Sequence, residues 1–501
     1  MLHQIIHYLN KMQEKTFRKG SKHLEKTQRD ILKEQTFKSK EFARKVDYEE
    51  FKTLKEIVDY SDLRQEIEKK RESFCHDHIR FQSTSGSTDK VKLIPYNKKI
   101  LNEFDWASSP WISNLYEKFP GIKSGKHFWS LSWVPESLRK INQSDDSELL
   151  PLHKRIIMEQ MMLPDPKIAY LESNEDAMFA TIFSLVESED LTLISVWSPT
   201  FLLNLVDLII EKSDLIMSCH DKSSWLPYGK SLSIKFPKKR SDLSFFKYSK
   251  NMDQQTLVKK LWPNLCLVSA WDTSTSKVYA DKVKNIFSHA SFQGKGLWST
   301  EAVVTIPFDN KFPLAYKSHF YEFEIVETSQ IIPSWELKIG MLVKPIVSTG
   351  NEFFRYKIND ILYVNDFFND VPCFEFMGRE NTVDLVGEKI DSKMVNDLFS
   401  DVGEFCLLAI NKTEQKPYYY FLTSEQNISD DEVENRLSTI YHYNLARELG
   451  QLNHCVSRSV DDLTVVNNKM ANLEEGIIGN NKVEILQLVK DKNVIKYLES
   501  I

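Results

Sequence analysis

No run of apolar residues in this 501-residue chain is long enough to cross a bilayer, so no membrane span is expected. The opening residues, Met1-Leu2-His3-Gln4-Ile5-Ile6-His7, lead into a heavily charged stretch that lacks a signal-peptide apolar region and cleavage site. No CxxC pair occurs: the 6 cysteines, Cys75, Cys219, Cys266, Cys373, Cys406 and Cys455, are widely scattered. That argues against a disulfide framework and for a reduced, cytoplasmic setting. Cys75-His76-Asp77-His78 has the composition of a metal site, but adjacent residues rarely point at one ion, and a polar segment is the simpler reading. The chain also lacks excess positive charge, and a net charge of −6 argues against general nucleic-acid binding. The motifs G-x-x-x-x-G-K-[ST], G-x-S-x-G, H-E-x-x-H and G-x-G-x-x-G are absent, as are internal repeats and low-complexity tracts.

What is present points to a large globular protein. Hydrophobic residues at 42% and aromatic residues at 12% suffice for a sizeable core, and the length implies two or more domains. Residues 11–75 are rich in Lys, Glu and Leu with almost no Gly or Pro, which predicts amphipathic helices. Their mild basicity is read as a solvated face. Lys98–Lys118 reads as a helix, and Phe128–Trp133, Leu191–Trp197, Asn264–Trp271 and His319–Val326 read as strands. Ser198-Pro199 opens a helix with an N-cap and an N1 proline. Phe405–Ile410 and Tyr418–Thr423 look like strands of a smaller sheet, followed by the capping box Ser429-Asp430-Asp431-Glu432. The expectation is a mixed α/β (α+β) chain, with a large domain over 1–378 and a small mobile α+β domain over 379–501.

The chain is organised around Thr84-Ser85-Gly86-Ser87-Thr88-Asp89-Lys90-Val91-Lys92. Backbone N–H groups, hydroxyls and ammonium charges on a glycine-hinged loop suit a polyphosphate. A polar surface turn is the alternative. Thr300-Glu301 precedes the apolar run Ala302–Ile306. A hydroxyl there can donate to phosphate and a carboxylate can hold Mg²⁺, or the pair is a surface Glu beside a capping Thr. Asp360, after Arg355-Tyr356-Lys357-Ile358-Asn359, can accept from two ribose hydroxyls, or sit in a tight turn. Gly378-Arg379 and Gly387-Glu388-Lys389 place cations at the expected domain boundary, and Gly479-Asn480-Asn481-Lys482 offers a hinged lysine near the end.

The order of these motifs resembles that of acyl-adenylate-forming enzymes, and within them the Gretchen Hagen family of auxin-responsive acyl-acid amido synthetases and their bacterial relatives. Leu261-Trp262-Pro263-Asn264-Leu265, Phe320-Tyr321-Glu322-Phe323 and Phe354–Asp360 carry the likeness, which spans roughly residues 15–485. The resemblance implies an ATP-dependent ligase that adenylates a carboxylic acid and passes the acyl group to an amine, with an amino acid as the expected acceptor. Acyl-CoA or carrier-thioester formation and a non-catalytic nucleotide-binding relative are the alternatives. It implies that Ser85, Gly86, Ser87 and Thr88 hold the phosphates with Lys92, that Thr300 meets the α-phosphate, and that Glu301 holds Mg²⁺. It further implies that Phe320 stacks on adenine, that Asp360 and Arg379 take the ribose, and that Lys389 and Lys482 approach from the small domain. Asp89, Asn359 and Leu297 depart from the family pattern.

Overall fold

Leu191–Ser195 and Leu267–Ala270 are apolar on both faces, and such strands need covering on both sides. In the computed structural model they are neighbours in a parallel sheet. The structure describes residues 2–73, 80–84, 92–130, 160–273, 276–379, 382–412, 415–424, 428–473 and 486–501. The chain divides into two compact units. Of the described residues, the second holds Lys92, residues 276–279 and Gly378–Ile501, and the first holds the rest up to Met377.

The first unit starts with four helices, Leu2–Gly20, Leu24–Lys38, Tyr48–Leu54 and Tyr60–Ser73. These are the amphipathic helices predicted from the charged N-terminal stretch. Strands β1 (Arg80–Thr84) and β2 (Lys92–Tyr96) pair with each other. The helix Lys98–Lys118 follows, opened by Asn97, whose side chain accepts from the backbone N–H groups of Lys99 and Ile100.

Next come β3 (Lys126–Trp129), β4 (Met162–Leu163), β5 (Leu191–Ser195), β6 (Leu267–Ala270) and β7 (Ser291–Gly294). They form one sheet in the order β4-β3-β5-β6-β7, and every pairing is parallel. The expected strand Phe128–Trp133 begins two residues earlier, at Lys126, and is described to Trp129; Leu131, Ser132 and Trp133 lie outside the described residues. Ser173 caps the helix Asn174–Glu187, and Pro199 occupies the first turn of Pro199–Glu211 as predicted. Phe183, Leu205, Leu261 and Trp262 are all fully buried on this sheet's core. Each such side chain contributes roughly 1.5–3 kcal/mol by leaving water. Because the strands are parallel, their C-terminal ends share one edge, where ligands of open α/β sheets bind.

A second sheet of this unit is antiparallel: β8 (Phe320–Ile325), β9 (Ile331–Pro333), β10 (Leu342–Ser348), β11 (Tyr356–Lys357), β12 (Asp360–Phe368) and β13 (Val371–Arg379). Its order is β13-β12-β10-β8-β9, with β11 also on β10. Alternation along β8 sends Tyr321 and Phe323 into the main core and Phe320 into a smaller cluster with Tyr48, Phe51 and Phe354.

In the second unit, Arg379 pairs with Thr382 of β14 (Thr382–Val383), which pairs with β15 (Ile390–Asp391). A four-stranded sheet follows: β16 (Phe405–Ile410), β17 (Tyr418–Thr423), β18 (Val456–Ser459) and β19 (Leu486–Val489), in the order β18-β17-β16-β19. The central pair is antiparallel and both flanking pairs are parallel. Ser429 Oγ accepts from the Glu432 N–H at 3.2 Å and starts the helix Asp430–Leu437.

Candidate active site

The Thr-Glu motif sits at the tip of a tight turn. The Ser299 N–H donates to the Ala302 carbonyl at 2.9 Å, and Ser299 Oγ accepts the Ala302 N–H at 3.1 Å. Trp298 bridges to Val303 and Thr305 to Leu314. Thr300 Oγ1 donates to Glu301 Oε2 at 3.0 Å, and the Tyr356 hydroxyl reaches Glu301 Oε1 at 3.3 Å. The Tyr96 hydroxyl donates to the Thr300 carbonyl at 2.6 Å. Glu301 is buried, and among the described residues no cation pairs with it. Among the described residues its oxygens meet neutral donors, Thr300 and Tyr356.

The segment that delivers Tyr356 is anchored beneath. Arg355 adopts positive φ and forms a bidentate pair with Glu322 of β8, Nε and Nη2 donating at 2.9 Å each. The Tyr48 hydroxyl also donates to Glu322, at 3.1 Å. Burial pushes the Glu322 carboxyl up, against the pull of Arg355. The arginine of the Arg-Tyr-Lys run is thus structural. It holds β11 on β10, with Tyr356 opposite Val347, and that register directs the tyrosine hydroxyl. Asp360 opens β12 and is 8% exposed. The left-handed conformation lies at Arg355 and not at Asn359, so Asn in place of Gly there carries no backbone strain.

Phe320 is a correction. Its ring is 0% exposed and packs against Tyr48, Phe51 and Trp335, with centroids 5.7, 6.1 and 6.4 Å away. Both faces are taken by the protein, so an adenine-stacking role does not fit this placement. Leu297, in place of the usual aromatic residue, is buried and aligned by its backbone: its N–H donates to Thr305 Oγ1 at 2.8 Å.

In the second unit, Lys92 heads β2, Arg379 ends β13, and Lys389 is partly exposed with positive φ. The turn before Lys389 is pinned by Glu388, which accepts the N–H groups of Leu385 at 2.6 Å and Val386 at 2.8 Å and the hydroxyl of Tyr419. Burial pushes the Glu388 carboxyl up to about 7. Ser85, Gly86, Ser87, Thr88, Asp89 and Lys482 lie outside the described residues, as does Cys75-His76-Asp77-His78.

Sequence reasoning missed Tyr96, Tyr356 and, above all, Lys295. This lysine follows β7 directly at the C-terminal edge of the parallel sheet and is 7% exposed. Its flanking glycines, Gly294 and Gly296, were the available signal, because they mark a tight backbone passage. A Cβ on Gly296 would come within 2.2 Å of the Thr305 carbonyl oxygen.

Comparison with known proteins adds an independent line. The GH3 family N-terminal domain matches residues 2–292, and the GH3 family central domain matches residues 312–379. The 4-substituted benzoates-glutamate ligase GH3.12 of Arabidopsis thaliana is 21% identical, over 72% of this chain and 68% of that protein. The indole-3-acetic acid-amido synthetase GH3.15 of the same plant is 20% identical over the same shares. A solved structure of the AtGH3.15 acyl acid amido synthetase in complex with 2,4-DB superposes with a TM-score of 0.62 at 16% identity, covering 98% of this chain and 96% of that one. That likeness establishes the shared fold.

Proposed function

The chain belongs to the GH3 family, and from that premise we propose that it is an acyl-acid amido synthetase using ATP. In the first half-reaction a carboxylate oxygen of the acid bonds to the α-phosphorus of ATP. The bond from that phosphorus to the bridging oxygen breaks, and pyrophosphate leaves. In the second, an amine nitrogen attacks the acyl carbonyl of the adenylate. The bond from the carbonyl carbon to the phosphate oxygen breaks, AMP leaves with the electron pair, and the nitrogen gives up a proton. An amino acid is the expected acceptor.

The observation that carries this reading is the Thr300-Glu301 turn, a hydroxyl beside a buried carboxylate that, among the described residues, faces neutral groups only. Thr300 is the candidate donor to an α-phosphate oxygen, and donors held before reaction stabilise charge as it develops. One carboxylate with no competing cation also fits Mg²⁺, which binds through one or two protein carboxylates plus substrate phosphates. Bound there, the ion would neutralise phosphate charge. Asp360 is the candidate for the ribose hydroxyls. Ser85, Gly86, Ser87, Thr88 and Lys92 are the candidates for the phosphates, and Arg379, Lys389 and Lys482 for contacts from the small domain. Cytoplasmic location belongs to the same proposal; among the described residues no helix is long and apolar enough to cross a membrane.

The test is pyrophosphate release across a panel of carboxylic acids, with and without amino acids and coenzyme A. Acid-dependent pyrophosphate, with amide formed only when an amino acid is added, is the expected result. Thioester as the only product, or no pyrophosphate with any acid, would overturn it.

A further inference from the structure

Lys295 is a cation enclosed by aromatic rings. Nζ donates to Ser195 Oγ at 2.5 Å. It lies 5.4, 5.5 and 5.3 Å from the ring centroids of Trp111, Trp129 and Trp197. An ammonium has three donors, and among the described residues Ser195 meets one of them. Among the described residues no charged side chain meets it: Trp111 comes from the helix Lys98–Lys118, Trp129 from β3, Ser195 from β5, and Trp197 from just beyond β5. Burial pushes its pKa down to about 7.

Among the described residues no anion meets this buried cation, and a cation so placed is costly with no stabilising return inside the fold. Among the described residues Trp129 Nε1, in the same cage, is buried with no hydrogen-bond partner, and so is Ser269 Oγ of the adjacent β6. Trp197, on one side of the cage, is 49% exposed. On the other side Trp111 meets Trp298 edge-on at 5.7 Å, and Trp298 stands two residues before Thr300. The unmatched donors thus belong to the same aromatic-walled region as the candidate reaction centre.

We propose that Lys295, Ser195 and the Trp111–Trp129–Trp197 cage form the subsite for the end of the acyl acid remote from its reacting carboxylate. The subsite selects flat aromatic acids that carry a second anionic group there. This rests on the ligase reading above. The indole faces suit an aromatic ring, and the ammonium with the free indole N–H suits a carboxylate. The reacting carboxylate is the poorer occupant. A tight pair with a desolvated cation would stabilise the ground state and oppose its attack on phosphorus.

The experiment titrates the full-length protein by tryptophan fluorescence with 1,4-benzenedicarboxylate and with the similarly shaped 4-methylbenzoate, beside pyrophosphate release with each. Wild type is expected to prefer the diacid. Lys295→Met should reduce that preference by about 10- to 100-fold, the range for a hydrogen bond to a charged group, and Lys295→Arg should restore part of it. The preference should also fade as pH rises above 7, where the free amine is neutral. Equal affinity of wild type for both acids, or an unchanged preference in Lys295→Met, would overturn the subsite. If Lys295→Met does not fold, Trp197→Ala serves: weaker binding of both acids supports the cage and unchanged binding overturns it. Selective diacid binding without pyrophosphate from any acid would sink the ligase reading and leave the subsite standing.

Discussion

Among the described residues hydroxyls alone reach the Glu301 carboxylate. A carboxylate kept in that state is suited to a ligand's cation. Glu301→Gln keeps the size of the side chain and removes the charge. It should lower adenylation by about 10²–10³, with the thermal midpoint little changed. Pyrophosphate release at the wild-type rate would remove Glu301 from the site. Phe320 makes the opposite case. Its ring fills a closed aromatic cluster, so Phe320→Ala should cost roughly 3–5 kcal/mol of stability. The KM for ATP should hold in the fraction that remains folded. A raised KM with unchanged stability would return Phe320 to the adenine. The Phe-Tyr-Glu-Phe string was legible as a strand by its alternation. Which of its faces meets Tyr48 and Phe51 was not legible, because those rings come from a helix more than two hundred residues earlier in the chain.

Among the elements, the best-read ones carry their signals locally. The helix Asp430–Leu437 begins where its capping box said, because Ser429 satisfies a backbone donor within its own first turn. Ser429→Ala should lower the stability of the second unit by about 1 kcal/mol in urea unfolding, with adenylation unaffected. No change in stability would mean that the cap is not what holds that end. The strands Phe405–Ile410 and Tyr418–Thr423 were likewise legible, since each is a short apolar run bounded by polar turns. The segment after Thr300-Glu301 was not. Ala302–Ile306 is apolar enough for a strand, yet it makes only isolated bridges, because the Ser299 turn and Thr305 spend its backbone groups on local contacts. The same turn is what brings Thr300 beside Glu301.

For the molecule as a whole, the chain passes from one compact unit to the other between Met377 and Gly378. We propose that this passage is a hinge on which the small unit turns between the two half-reactions. Gly378 has φ +144, and nothing lies within 4 Å of a Cβ built there. Gly378→Ala therefore acts through backbone strain alone. It should depress adenylation and acyl transfer unequally, measured by pyrophosphate exchange and by amide formation from preformed acyl-adenylate. Equal loss of both, or none, would count against movement there. Glu380 and Asn381, which continue the chain past Arg379, lie outside the described residues.

The sequence by itself determined the family, the mixed architecture and the order of the chemical motifs. Each of those rests on neighbours in the chain: hydrophobic period, caps, and short strings such as Ser-Thr-Glu. Only the tertiary structure decided what each side chain faces. Sheet pairing turned Phe320 into the core and gave Arg355 to Glu322. Parallel strand order gathered residues 111, 129, 195, 197 and 295 at one edge and closed three tryptophans around a lysine. That enclosure depends on residues from four separate stretches meeting in space, and no spacing along the chain encodes it.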